Sequence, residues 1–279
     1  MGIKLVCMKH PAYNQLRPVT QSAAVVLCAN PSYSSLDGTN TWVIRASEDS
    51  RSIVIDPGPD DEGHLNIVHN KAEEVALVLI THRHQDHADS IDRFRQLTGA
   101  PVRGFDPTYC RGAEPLVDGE IITLEGVTPQ IEVVHTPGHT SDSACFFVWS
   151  GVPHDSTLEG IITGDTIAGR HTTMISETDG DLGAYLDTLH MLEDRGKGVM
   201  LLPAHGPEHE DLSLLARKYL DRREQRLAQV QAAREKLGHD ATLKQIVDEV
   251  YTDVDPVLRG AAEQSTRVTV RYLDKVAGV

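Results

Sequence analysis

The sequence is poor in cysteine, in aromatic residues and in long apolar runs. Its four cysteines lie far apart and form no CxxC pair, so free thiols in a reducing compartment are expected. No stretch approaches the roughly 20 apolar residues of a membrane-spanning helix, and no apolar run of signal-peptide length precedes Pro18. We therefore expect a cytoplasmic protein that does not associate with a membrane.

Positive charge is also scarce. The 279 residues include 26 Lys and Arg against 41 Asp and Glu, which gives a net charge of -15. This balance counts against a broad phosphate-binding surface for nucleic acid. One local exception is the segment 217–236, which holds seven basic residues against three acidic ones. The low aromatic content, 5%, leaves few rings on which bases could stack.

Short apolar runs rich in β-branched residues predict strands through the first two thirds of the chain. The predicted strands are 23–28, 41–45, 53–55, 75–80, 131–135, 144–149 and 199–202. Helical patterns at 86–97 and 182–194 lie among them, which indicates a layered α/β domain. Beyond Gly206, helices are predicted at 211–237, 241–250 and 256–276. We therefore expect a catalytic domain over residues 1–209 and a small helical unit over residues 210–279.

The segment THRHQDH follows directly after the apolar run that ends at Ile80. It places His82, His84, Asp86 and His87 on a loop at the C-terminal end of a predicted buried strand. A solvated surface loop is the alternative, but polar groups crowded at such a position need partners. These four side chains cannot all face one metal ion, so two metal subsites that accept imidazole and carboxylate ligands are predicted.

Three later segments accompany this loop in order: TPGHT at 136–140, TGDT at 163–166 and PAHG at 203–206. Each alone fits an ordinary turn. Together with the H-x-H-x-D-H loop they resemble the four motifs of the metallo-β-lactamase superfamily. The resemblance implies an αββα sandwich with two Zn²⁺ ions. It assigns the ligands to two subsites: His82, His84 and His139 for one metal, Asp86, His87 and His205 for the other, with Asp165 bridging them.

Two zinc ions about 3.5–4 Å apart can hold a shared hydroxide and polarise the substrate as well, which indicates a hydrolase. Asp86 is the predicted catalytic residue, because it is placed to orient that hydroxide. His171, just beyond the third motif, is a candidate for contact with the substrate. Within the superfamily, Asp165 and the lack of an export signal argue against a lactamase. His84 stands where the di-iron oxidoreductases carry Glu, which favours a zinc hydrolase.

A finer resemblance covers nearly the whole chain. The segments NP at 30–31, GTNT at 38–41 and DPG at 56–58, with the helical tail, are similar to the endoribonuclease and glyoxalase II-like branch of the superfamily. That branch carries a winged-helix-like C-terminal unit. The resemblance implies a phosphodiesterase acting on single-stranded RNA, with Asn40 as a substrate-binding candidate.

Other functions remain open at this point. Similar sequences hydrolyse acyl thioesters, so a thioesterase or a hydroxyacylglutathione-hydrolase-like enzyme acting on a small acyl thioester is the alternative. A non-catalytic metal-binding module would be expected had ligands been lost, whereas all seven are present. The helical tail also offers a surface for a homodimer.

Overall fold

The structure is a computed structural model that describes residues 10–238 and 240–278. Two β-sheets form its centre. The first has six strands in the order β1 to β6: Leu16–Pro18, Ala23–Leu27, Asn40–Ile44, Arg51–Ile55, Glu74–Leu79 and Val102–Arg103. The second has five strands, β7 to β11, in the spatial order β11-β10-β9-β8-β7: Ile121–Leu124, Val127–His135, Ala144–Trp149, Leu158–Gly164 and Met200–Pro203.

Across residues 10–238 and 240–278, seven α-helices flank or follow the sheets. In chain order, α1 to α7 are Glu62–Ala72, Gln85–Ala88, Ile91–Thr98, Leu182–Arg195, Leu212–Leu237, Leu243–Val250 and Arg259–Ala277. Short 3₁₀ turns occupy Pro107–Tyr109 and Pro256–Leu258. Within the described part of the chain, no helix combines the length and apolar composition needed to cross a membrane.

The main core lies between the two sheets. Trp42 and Leu79 of the first sheet are buried against Phe146 and Ile162 of the second. A second cluster packs α1 and α3 on the outer face of the first sheet, and a third packs α4 and α5 on the outer face of the second. The order of layers is therefore helix, sheet, sheet, helix, and the predicted αββα class is confirmed. Burial on both faces explains the continuous apolar run of β5.

The structure differs from the predicted elements at two points close to the ligand loops. Residues 86–97 do not form one helix, because the helical conformation is interrupted between α2 and α3. At the break, the Ser90 hydroxyl donates to the Gly58 carbonyl over 2.7 Å, which ties this point to the end of β4. Strand β10 was not predicted, although Asp165 follows directly after its C-terminal end. Gly160 and Gly164 interrupt its apolar sequence and so weaken the strand pattern.

The C-terminal residues form α5, α6 and α7, so the predicted helices are present. In residues 210–238 and 240–278 no strand accompanies them. Helix α5 shares a core with the layers of the sandwich, since Leu212 and Tyr219 pack in one buried cluster with Leu189 of α4. A smaller cluster around Val230 and Ile246 joins α5 to α6. The division at residue 209 remains a prediction, and a common core crosses it.

Candidate metal centre

All seven predicted ligands lie at one edge of the sandwich. His82, His84, Asp86 and His87 follow β5 directly, and His139 lies in the turn between β8 and β9. Strands β10 and β11 are parallel, so their C-terminal ends bring Asp165 and His205 to the same edge. Side chains that are up to 123 positions apart in the sequence thus meet because several strands end together.

The structure sorts these side chains into two groups whose possible ligand atoms lie within 4.8 Å of one another: His82, His84, His139 and Asp165 in one, and Asp86, His87 and His205 in the other. In the first group, His84 Nδ1 is 2.9 Å from His82 Nε2 and 3.0 Å from His139 Nε2. Asp165 reaches both groups, because its Oδ1 atom is 3.2 Å from His205 Nε2 and 3.6 Å from His87 Nε2. The histidines and Asp86 divide between the groups as the resemblance implied, with Asp165 in the first group, and their ligation of metal ions remains a prediction.

Three buried polar atoms test whether these residues suit a metal ion. His87 Nε2, His205 Nε2 and Asp165 Oδ1 have no hydrogen-bond partner among the described residues. Buried polar groups are normally paired, because an unpaired one loses its interaction with water without compensation. The three atoms converge, and imidazole nitrogen with carboxylate oxygen is a donor set that zinc accepts. The residues therefore fit a metal ion, while this donor set also suits iron.

The charges at the centre favour a cation in the second group. Burial lowers the pKa of His87, but the carboxylates of Asp56, Asp165 and Asp86 outweigh it and raise that pKa to about 10. A dication supplies the same positive charge in place of the proton. In the first group, burial and neighbouring imidazoles lower the pKa of His84 to about 4. A neutral imidazole is the form that binds a metal.

Two buried histidines of the centre are each oriented by a backbone carbonyl at the Nδ1 atom. His139 Nδ1 lies 2.5 Å from the Met174 carbonyl, and His205 Nδ1 lies 3.1 Å from the Gly38 carbonyl. Because a carbonyl only accepts, these Nδ1 atoms donate and leave Nε2 free for a metal.

Asp56 orients His87 in the same way, and sequence reasoning did not assign it a role. Its carboxylate lies 2.8 Å from His87 Nδ1 and accepts from both the amide and the hydroxyl of Thr81, at 2.8 and 2.6 Å. The backbone of Asp56 has φ +51°, a left-handed conformation that turns the chain sharply after β4. The DPG segment was the available signal, since such a tripeptide marks a tight turn at a strand end.

A second feature missed in the sequence is an ion pair between Arg83 and Asp179. Arg83 stands between His82 and His84, and its guanidinium contacts both carboxylate oxygens of Asp179. Asp179 also accepts from the amide and the hydroxyl of Ser141, at 3.0 and 2.7 Å. The pair therefore connects the loop of the first motif to the loop that carries His139.

The two predicted substrate-binding residues differ in their surroundings. Asn40 is buried, and its amide donates to the carbonyls of Pro203 and Gly206, each at 3.0 Å. These contacts hold the turn that carries His205. His171 is exposed, has φ +67° and belongs to neither ligand group. A contact of either residue with substrate remains a prediction.

Comparison with known proteins agrees with this geometry. Residues 35–205 match the family model described as the Metallo-beta-lactamase superfamily. The chain is 31% identical over 258 residues to an atrochrysone carboxyl ACP thioesterase of Aspergillus chevalieri, covering 88% of this chain and 78% of the relative. It is 27% identical over 266 residues to a lactamase-like protein of Pestalotiopsis fici, covering 90% and 79%.

Among solved structures, a beta-lactamase domain protein from Burkholderia ambifaria superposes with a TM-score of 0.76 at 19% identity, covering 97% of this chain and 91% of that one. A metallo-beta-lactamase family protein from Thermus thermophilus superposes with a TM-score of 0.70 at 16% identity, covering 92% of this chain and 94% of that one. At these identities the likeness shows the fold alone.

Proposed function

The chain belongs to the metallo-beta-lactamase superfamily and is a hydrolase of that family, and on this premise we propose that it hydrolyses acyl thioesters with two zinc ions at the candidate metal centre. The observation that carries the two-ion proposal is the position of Asp165, whose carboxylate lies between the two groups of histidines. Two subsites that share one carboxylate suit a pair of ions rather than a single one.

The choice of a thioester follows from the relatives. The Aspergillus chevalieri relative is named as a thioesterase, and the alignment with it extends over 88% of this chain. Single-stranded RNA, which the finer sequence resemblance favoured, is not supported by these relatives, and neither is a homodimer.

The chemistry of the leaving group agrees with this choice. A thiol with an ordinary pKa of about 8.5 leaves as a thiolate near neutral pH, so a thioesterase needs no dedicated proton donor. Cleavage of an RNA phosphodiester expels an alkoxide, which does need one. His171, the candidate nearest to such a role in the sequence, lies outside both ligand groups.

Zinc ions bound here would activate a water molecule and polarise the thioester carbonyl. The chain's own residues divide the remaining work. His82, His87 and His205 are almost completely buried and fix the geometry of the centre. Asp86 is more exposed, and its side chain retains 30% of its accessible area. The imidazoles of His87 and His205 lower the pKa of Asp86 against the effect of burial, so it is a carboxylate at neutral pH. It can therefore orient the attacking water by accepting a hydrogen bond from it.

The direct test compares an acyl thioester with single-stranded RNA as substrates of the zinc-loaded protein. We expect the thioester to be hydrolysed and kcat/KM to fall by about 10²-fold or more in the double variant Asp86→Asn, His87→Ala. His190→Ala, an exposed histidine of α4, is the matched control. Full activity in the double variant would disprove the two-metal proposal, and metal analysis showing one iron and no zinc would disprove the choice of metal.

A further inference from the structure

Three arginines of α5 form a cluster without carboxylate partners. Throughout residues 10–238 and 240–278, no carboxylate forms an ion pair with Arg222, Arg223 or Arg226. Two other arginines of the same helix, Arg217 and Arg234, are paired with Asp221 and Asp274. In a chain of net charge -15, these three guanidiniums concentrate positive charge within five residues of one helix. We define Arg222, Arg223 and Arg226 as the arginine cluster.

Two members of the arginine cluster are held in place by aromatic rings. The Arg226 guanidinium lies 3.9 Å from the ring centre of Tyr251, and that of Arg223 lies 5.1 Å from the ring centre of Tyr185. Arg223 also donates to the Thr173 carbonyl. Burial, followed by repulsion from Arg222 and Arg223, lowers the pKa of Arg226. A bound anion would relieve this repulsion, and guanidiniums already held in position lose little freedom in binding it.

One member of the arginine cluster, Arg223, lies beside the backbone that supports the metal centre. Thr173, which Arg223 contacts, precedes Met174, whose carbonyl accepts from His139. On the other side, the Tyr185 hydroxyl donates over 2.7 Å to the carbonyl of Thr166, the residue after Asp165. One tyrosine side chain thus separates Arg223 from the backbone that carries the shared carboxylate.

The nature of the anion follows from the thioesterase proposal, on which this inference rests. We propose that the arginine cluster binds the phosphate of a 4′-phosphopantetheine arm whose thioester lies at the metal centre. Such an arm carries its phosphate at the end remote from the sulfur, and arginine forks match phosphate oxygens in geometry and charge. The arm occurs on coenzyme A and on acyl carrier proteins, so both are candidate sources.

RNA phosphate is the competing ligand, and the surroundings of the arginine cluster favour a single phosphate. Binding of single-stranded RNA combines a basic groove with exposed rings for stacking. Here the ring of Tyr251 is covered by Arg226, and Tyr185 is buried.

The test compares two thioesters of the same acyl group, one on pantetheine and one on 4′-phosphopantetheine, which differ by one phosphate. We expect the zinc-loaded protein to prefer the phosphorylated thioester by about tenfold or more in kcat/KM. In the double variant Arg222→Gln, Arg226→Gln this ratio should fall to about one. Arg217→Gln, Lys244→Gln removes the same charge from the helical unit outside the arginine cluster and should keep the preference. Arg223 stays unchanged because it also contacts Thr173.

Calorimetric titration with free 4′-phosphopantetheine and free pantetheine measures binding independently of hydrolysis. Tighter binding of the phosphorylated compound, lost in the double variant, supports the site even if no thioester is hydrolysed, in which case only the thioesterase proposal fails. Equal binding of both compounds, or an equal loss of activity on both thioesters, overturns the site. Loss of oligoribonucleotide binding with an unchanged pantetheine preference overturns it in favour of RNA. Acyl-coenzyme A and acyl carrier protein are then compared as substrates. The one whose kcat/KM falls more in the double variant is identified as the source of the arm.

Discussion

Single residues determine the tautomer and the orientation of the histidines in the metal centre. Asp56, Met174 and Gly38 each supply an oxygen to the Nδ1 atom of one histidine, through one carboxylate and two backbone carbonyls. Outer partners of this kind fix the tautomer of a metal-binding histidine. Most of this control is exerted by the backbone, so no side-chain pattern in the sequence records it.

Burial of another histidine, His64 of α1, is expected to make the stability of the protein depend on pH. The Thr41 hydroxyl donates to the Asp56 carbonyl at 2.7 Å and lies 2.8 Å from His64 Nε2, which must then be the donor. Its buried Nδ1 atom has no partner among the described residues. Burial lowers the pKa of His64 from 6.5 to about 4. Because this folded-state pKa lies below the unfolded one, the stabilisation is complete above about pH 6.5 and is lost as the pH falls towards 4.

We therefore expect His64 to account for about 2 kcal/mol of the unfolding free energy lost between pH 7 and pH 5. Urea unfolding of the wild type and of His64→Gln at both pH values measures this loss, and the variant should show a smaller one. His190→Gln on the surface should behave like the wild type. An equal loss in wild type and His64→Gln would show that His64 does not titrate in this window.

At the scale of elements, the loop of the second motif is pressed against α4. Gly138 has φ +143°, a conformation that side chains rarely adopt, and a Cβ atom there would lie 2.4 Å from Tyr185 Cα. This contact is with helix backbone, so it cannot be relieved by a rotamer change. The close approach sets the position of the next residue, His139.

Gly138→Ala should consequently destabilise the protein by about 3 kcal/mol or more and lower its zinc content, because the loop must move away from α4. Gly198→Ala is the control: this glycine also has positive φ, at +68°, but a Cβ atom would meet nothing within 4 Å. Gly198→Ala should lower the unfolding free energy by only about 1–2 kcal/mol and leave the metal content unchanged. Thermal unfolding and metal analysis measure both effects, and equal losses in the two variants would contradict the proposed clash.

At the scale of the whole molecule, the catalytic layers and the C-terminal helices are joined by packing and by polar contacts. Leu212 of α5 is fully buried in the cluster that contains α4. Gln264 of α7 donates to the Ile175 carbonyl at 2.7 Å, and Lys275 pairs with Asp181 at 3.0 Å. The segment that supports His139 is thus held from the far end of the chain.

A shared core predicts a single unfolding transition. Circular dichroism, which reports all helices, and the fluorescence of Trp42 and Trp149 should give coincident curves. Leu212→Ala should lower the unfolding free energy obtained from both curves by about 2–5 kcal/mol. Leu214, with 63% of its surface exposed, is the control, and Leu214→Ala should change this free energy by less than about 0.5 kcal/mol. Two separate transitions would show instead that the helical unit folds independently.

The sequence by itself determined the layered α/β class, the order of the main elements and the seven candidate ligands, because apolar periodicity and local motifs are written in neighbouring residues. It did not determine strand β10, the break between α2 and α3, or the functions of Asp56 and Arg83. These depend on contacts between distant segments: Ser90 with Gly58, Asp56 with His87, Arg83 with Asp179. The same holds for the arginine cluster, which the sequence presents as part of a basic helix. Only the tertiary structure decided which of its arginines have carboxylate partners and which are left unpaired, since pairing is a matter of distance in space.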